Sequence, residues 1–276
     1  MKRTRLCQAA VATTGLIAAG LAATTAGSAQ GAESDVPTFQ EYAASAFQDA
    51  DKQYVVNGDE PIMSKGGLRD FYDRMTGDKH TGRQVEDGLV VNTVSGKDDK
   101  WSASQVGSLT YCVSTKFGSD QAAVVAAMSQ GAALWENASS AIDFTHVTSA
   151  DSKCTVRNRS VVFSVEPTNT TQYIARAFFP SSPDRSRNIL VNAGSLQSSG
   201  SWTPGNIMGH ELGHTLGFRH EHTRPESGTC FEDNNWRPLT PYDSASIMHY
   251  PQCNGTSNDL SFTSSDAAGA RNLYGS

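Results

Sequence analysis

The run from His210 to His222 reads HELGHTLGFRHEH and holds most of the side chains in this chain that could do chemistry together. Within it His210, Glu211, His214, Gly217 and His220 stand at H-E-x-x-H-x-x-G-x-x-H spacing. Residues four apart share one face of a helix, so His210 and His214 can present imidazole nitrogens to one ion. Gly217 has no Cβ and can end that helix through a positive φ, turning the chain so that His220 supplies a third nitrogen. Three protein ligands leave a tetrahedral zinc ion with an open position for water, the catalytic arrangement rather than the closed structural one. Glu211, beside the first ligand, is placed to take a proton from that water.

These residues need a helix to carry them and a floor beneath it. Thr203-Pro204 supplies the start, a cap residue followed by proline at the first helical position. Downstream lies Ser246-Ile247-Met248-His249-Tyr250, then Pro251. A zinc motif followed by such a methionine turn resembles the metzincin metallopeptidases. HELGHTLGFRHEHTR and SIMHY resemble the astacin branch, and the whole chain is still more similar to the small bacterial HEIGH-type metallopeptidases. The resemblance implies that Met248 forms a hydrophobic floor beneath the imidazoles. It also implies that Tyr250 is a possible fifth zinc ligand that can swing away and hydrogen-bond the oxyanion. GAALWENASSAIDFTHV (131–147) resembles the metzincin first helix and second strand, ARAFFP (175–180) the edge strand above the cleft, and 259–275 the closing helix. The stretch from His220 to Met248 is much shorter than in animal astacins, so loop-borne preferences do not carry over.

The fold class implied is α+β: a twisted mixed sheet of about five strands, a first long helix, a zinc-binding helix and a C-terminal helix. The residues read the same way. Strands are expected near 108–114, 142–147, 160–166, 174–179 and 187–192, with helices over about 120–137 and 265–273. Two long helices among strands form an α/β or α+β layer.

The chain has 276 residues, 38% hydrophobic and 18% charged, ordinary for a soluble protein with a real core. Lys2, Arg3 and Arg5 precede an apolar run from about Ala9 to Ala26, followed by small residues. That is a secretory signal peptide over residues 1–30, and the protein is expected outside the cell without a membrane anchor. Export removes three of the 22 basic residues and none of the 28 acidic ones. With no basic patch, nucleic acid is not expected as a partner; protein or peptide substrates are, and a monomer. Four cysteines remain, allowing three pairings in an oxidising compartment. Cys112–Cys154 with Cys230–Cys253 is preferred, since the second pair would close a loop around the methionine turn.

Residues 31–104 are acidic and free of cysteine and read as a propeptide-like region before a catalytic domain over 105–276. A helix is expected from Thr38 to about Asp51 and another from Ser64 to Met75, with a turn at Asn57-Gly58 between them. Gly88 to Ser104 reads as a charged connector. Astacin prosegments cap zinc with an aspartate in an x-Gly-Asp element, and Val55-Val56-Asn57-Gly58-Asp59 is similar. Asp59 is therefore a possible latency ligand, although Asn-Gly-Asp also suits an ordinary tight turn. Glu221 resembles the astacin glutamate that contacts the mature amino terminus, or is a solvated carboxylate. Asp184, in SSPDRSR, could bind a structural calcium ion or sit in a solvated turn. His80 and His146 have no evident partners. The resulting expectation is a secreted zinc endopeptidase with Glu211 as general base and Tyr250 at the oxyanion, made as a zymogen. The alternative is a secreted zinc-binding adhesion or interaction module without peptidase activity.

Overall fold

The computed structural model describes residues 36–77 and 89–276; the expected signal segment and His80 lie outside them. Thr38 caps α1 (Phe39–Ser45): its hydroxyl accepts the Glu41 amide, and the Glu41 carboxylate accepts the Thr38 amide. The helix stops at Ser45 rather than near Asp51. Ala46 is already extended, and β1 (Phe47–Gln48) pairs antiparallel with β2 (Tyr54–Val56). Asn57 and Gly58 then take positive φ and return the chain into β3 (Glu60–Ile62), which leaves Asp59 at the hairpin tip. Gly58 is needed on a second count, because a Cβ there would lie 3.3 Å from the Tyr250 ring. Ser64 caps α2 (Lys65–Thr76), whose Leu68 and Phe71 join Val56 in a small apolar cluster beneath α1.

Residues 89–104 are not a connector. They form β4 (Val90–Val94) and β5 (Lys97–Asp98), leading to α3 (Ala103–Val106). Leu89, Val90 and Val91 are buried. At about 1.5–3 kcal/mol for each large apolar side chain removed from water, this stretch belongs to the main core.

The centre of the molecule follows in order: β6 (Leu109–Val113), α4 (Gln121–Ala138), β7 (Phe144–His146), β8 (Phe163–Pro167), β9 (Ala175–Arg176) and β10 (Asn188–Val191). After these come α5 (Ala193–Gln197), α6 (Pro204–Thr215), β11 (Trp236–Pro238) and α7 (Ser264–Tyr274). The five-stranded sheet runs β7-β6-β8-β10-β9, parallel except for β9 at the edge. It is the mixed sheet of an α+β, metzincin-like domain. The strand expected over 174–179 is the short β9.

α4 and α6 cross at glycines. A Cβ on Gly131 would lie 2.5 Å from the Gly209 nitrogen, so the two backbones touch where any side chain would part them. Trp135 fixes the contact, donating from Nε1 to the Gly209 carbonyl at 2.8 Å and stacking on Phe218 at 5.0 Å. β4 lies between β5 and β11 and also meets the segment after α6: the Asn92 amide donates to the Gly217 carbonyl, and the Arg219 amide to the Val90 carbonyl. Disulfides join Cys112 to Cys154 and Cys230 to Cys253. No described helix is long and apolar enough to cross a membrane.

Candidate metal centre

α6 begins where its sequence says it should: the Thr203 hydroxyl accepts the Asn206 amide, and Pro204 opens the first turn. It ends at Leu216 and Gly217. Gly217 has a φ of 99°, and a Cβ there would lie 2.1 Å from the Asp99 carbonyl oxygen. Only glycine meets both demands, and the turn it makes brings His220 back alongside His210 and His214.

Each imidazole is oriented through the nitrogen facing away from the others. His210 Nδ1 donates to the Ile247 carbonyl at 2.7 Å, and His214 Nδ1 to the Phe218 carbonyl at 2.9 Å. His220 Nδ1 donates to the Glu232 carboxylate at 2.6 Å. A single proton on each Nδ1 would leave every Nε2 its lone pair for a metal, and the three converge: His210 and His220 are 3.2 Å apart at Nε2. His214 Nε2 is buried without a hydrogen-bond partner. Buried orphan acceptors aimed at one point are what a metal would satisfy, so this donor set fits a metal ion.

Asp59 reaches the same point from the hairpin tip. One carboxylate oxygen lies 3.1 Å from His210 Nε2; the other lies 3.4 Å from His214 and 3.2 Å from His220. Asp59, His210, His214 and His220 offer ligand atoms within 4.8 Å of one another. The Tyr250 hydroxyl donates to Asp59, and its ring stacks between Trp202 and His210. Burial works against the Asp59 charge, but His220 and His214 hold its carboxyl well below the ordinary range. Burial likewise lowers His220, yet Asp59 and Glu232 raise it well above the usual imidazole value. Glu211 is buried with one carboxylate oxygen unpartnered, and burial, helped by the Asp59 charge, pushes its pKa well up. It borders a cavity of about 200 Å³ shared with His210, Tyr250, Trp202 and Ala175.

Met248 is buried under α6, and its sulfur is where a Cβ on Gly213 would fall. The turn around it is pinned by Asp266 on α7, which accepts from the Ser246 hydroxyl and the Ile247 amide. Neither Asp266 nor Glu232 was expected from sequence. Glu232 also accepts from Arg219, as does Asp233, and Arg74 of α2 reaches Asp233 at 2.8 Å. The Glu232-Asp233 acid pair just after Cys230 was the available signal. A second group of donors, His220, His222 and Glu232, is this same outer support rather than a separate centre.

Glu221 is not a solvated carboxylate. It is buried, accepts the Asp243 amide at 3.0 Å, and leaves its other oxygen without a hydrogen bond. Asp184 lies on a short exposed turn, where Arg187 at 2.7 Å and Arg159 at 3.6 Å approach its carboxylate. His146 pairs with Asp151 and stacks on Tyr111, away from these residues in the fold.

Comparison with known proteins agrees with the class that this fold and these residues define. The profile of the Dual-action HEIGH metallo-peptidase family matches residues 74–274. The chain belongs to that family of metallo-peptidases. A stretch of 80 residues is 36% identical to High choriolytic enzyme 1 of Oryzias latipes. It covers 23% of this chain and 27% of that protein, so the match spans about a quarter of the relative's length.

Proposed function

We propose that the protein is a secreted zinc endopeptidase made with its N-terminal region as a built-in inhibitor. The observation carrying this reading is Asp59, a carboxylate from the far end of the chain lying against all three convergent Nε2 atoms. His210, His214 and His220 would hold the ion, which when bound supplies Lewis acidity toward a peptide carbonyl and water of lowered pKa. Glu211 takes the proton from the attacking water and returns it to the leaving amine. Tyr250, released from Asp59, turns its hydroxyl to the oxyanion. An extended substrate pairs with β9 at the open edge of the sheet, which selects backbone before side chains. Glu221, buried with one oxygen free of hydrogen bonds, suits the ammonium of a newly formed amino terminus. The basic-then-apolar start and the two disulfides favour export.

The test is hydrolysis of an unfolded protein by the zinc-loaded, processed form beside Glu211→Ala with matched zinc content. Cleavage that falls by about 10³-fold in the variant is expected. Equal zinc with no cleavage by either protein would favour a zinc-bearing interaction module instead.

A further inference from the structure

The N-terminal region touches the rest of the chain at a second charged point that the metal ligands do not use. Arg176, in β9, is fully buried. Its Nε lies 2.5 Å from Asp49 and its Nη2 2.6 Å from Asp51, two carboxylates on the turn between β1 and β2. The Tyr173 hydroxyl donates to the same Asp49 at 2.8 Å. Among the described residues these are the only carboxylates paired with Arg176, whose Nη1 donates to the neutral Asn188 amide oxygen at 3.3 Å.

β2 links the two docking points. Its three residues separate the turn on Arg176 from the turn carrying Asp59. At about 3.3 Å per residue β2 itself spans roughly 10 Å, the length of about three residues of extended peptide. Ala175, next to Arg176, borders the cavity that also contains Glu211 and His210.

If the N-terminal region leaves, as the zymogen reading above requires, Arg176 loses both anions at once. A guanidinium held in a cleft without a carboxylate is a poorly solvated charge with a planar fork of donors, made for bidentate carboxylate binding. We infer that Arg176, helped by the Tyr173 hydroxyl, is a specificity site for an acidic substrate side chain about three residues from the scissile bond. Asp49 and Asp51 occupy this site in the precursor. Broad backbone recognition by β9 then carries one charged preference.

The test uses full-length protein, loaded with zinc and allowed to process itself. Paired peptides carry Asp or Asn, moved one position at a time through four residues on either side of the bond cut. At one position Asp should raise kcat/KM by about 10- to 100-fold over Asn, as for a charged hydrogen bond. That ratio should shrink as salt is raised, collapse toward one in Arg176→Gln and survive in part in Arg176→Lys. Equal cleavage of Asp and Asn peptides at every position in the wild type overturns the proposal, without relying on any variant to fold. A preference that persists undiminished in Arg176→Gln also overturns it. Failure to cut any peptide would instead bring down the peptidase reading, and this one with it.

Discussion

Three imidazoles are each held by the nitrogen that faces away from the others, and the holders are a carbonyl of the methionine turn, a carbonyl of the helix end and a buried glutamate. Such outer contacts choose the tautomer and keep the rings from turning. The turn that holds His210 is in turn held by Asp266, whose two oxygens accept from Ser246, Ile247 and Thr263. Asp266→Asn would set an NH₂ group against one of those donors. It should cost about 2 kcal/mol, a fall of roughly 4–8 °C in Tm, read by thermal unfolding. Zinc retention should weaken too, although no ligand has changed.

At the scale of elements, the hairpin β2–β3 and the turn before it are docked by charge, and docking should follow pH. Burial raises the Asp51 carboxyl, but Arg176 and hydrogen bonds from Gln53 outweigh it and hold the pKa below 3.8. The docked form therefore binds fewer protons than the undocked one as pH falls toward that value. The contribution of Asp51 is complete above pH 3.8 and is lost as pH drops through its lower docked value. Amide hydrogen exchange over residues 47–56, corrected for intrinsic rates, should be steady above pH 3.8 and should accelerate as pH falls below it. Local rules made some elements legible. Thr203-Pro204 and Gly217 bound α6 by capping and backbone freedom, and Asn57-Gly58 marked the hairpin whose tip carries Asp59. Partners distant in sequence were not legible. β4 is followed by the charged run Lys97-Asp98-Asp99-Lys100 and looked like a connector, because its pairing with β11 and with the Gly217–Arg219 segment is invisible locally. Glu232 and Arg176 were hidden for the same reason: a buried ion pair has no spacing rule when its halves come from different elements.

At the scale of the whole molecule, one end of the chain serves as the first occupant of the other end's site. Asp59 meets the ligand nitrogens, and Asp49 with Asp51 meets Arg176, so two tips of one small sheet fill two parts of one cleft. Zinc-loaded Asp59→Ala should hydrolyse peptide from the first minutes, while the wild-type precursor shows a lag. The progress curves, run with other proteases inhibited, decide it; equal lags would remove Asp59 from latency. β4 sets a limit on how maturation can proceed. Its backbone carries Gly217 and Arg219 on either side of the bend that delivers His220, and its side chains line the core beneath them. A cut at residue 105 would discard that strand along with the proposed inhibitory region and remove the backbone hydrogen bonds that support the segment leading to His220. On the zymogen reading proposed above, the expected cut therefore falls ahead of Leu89, and sequencing the amino terminus of the active species checks it.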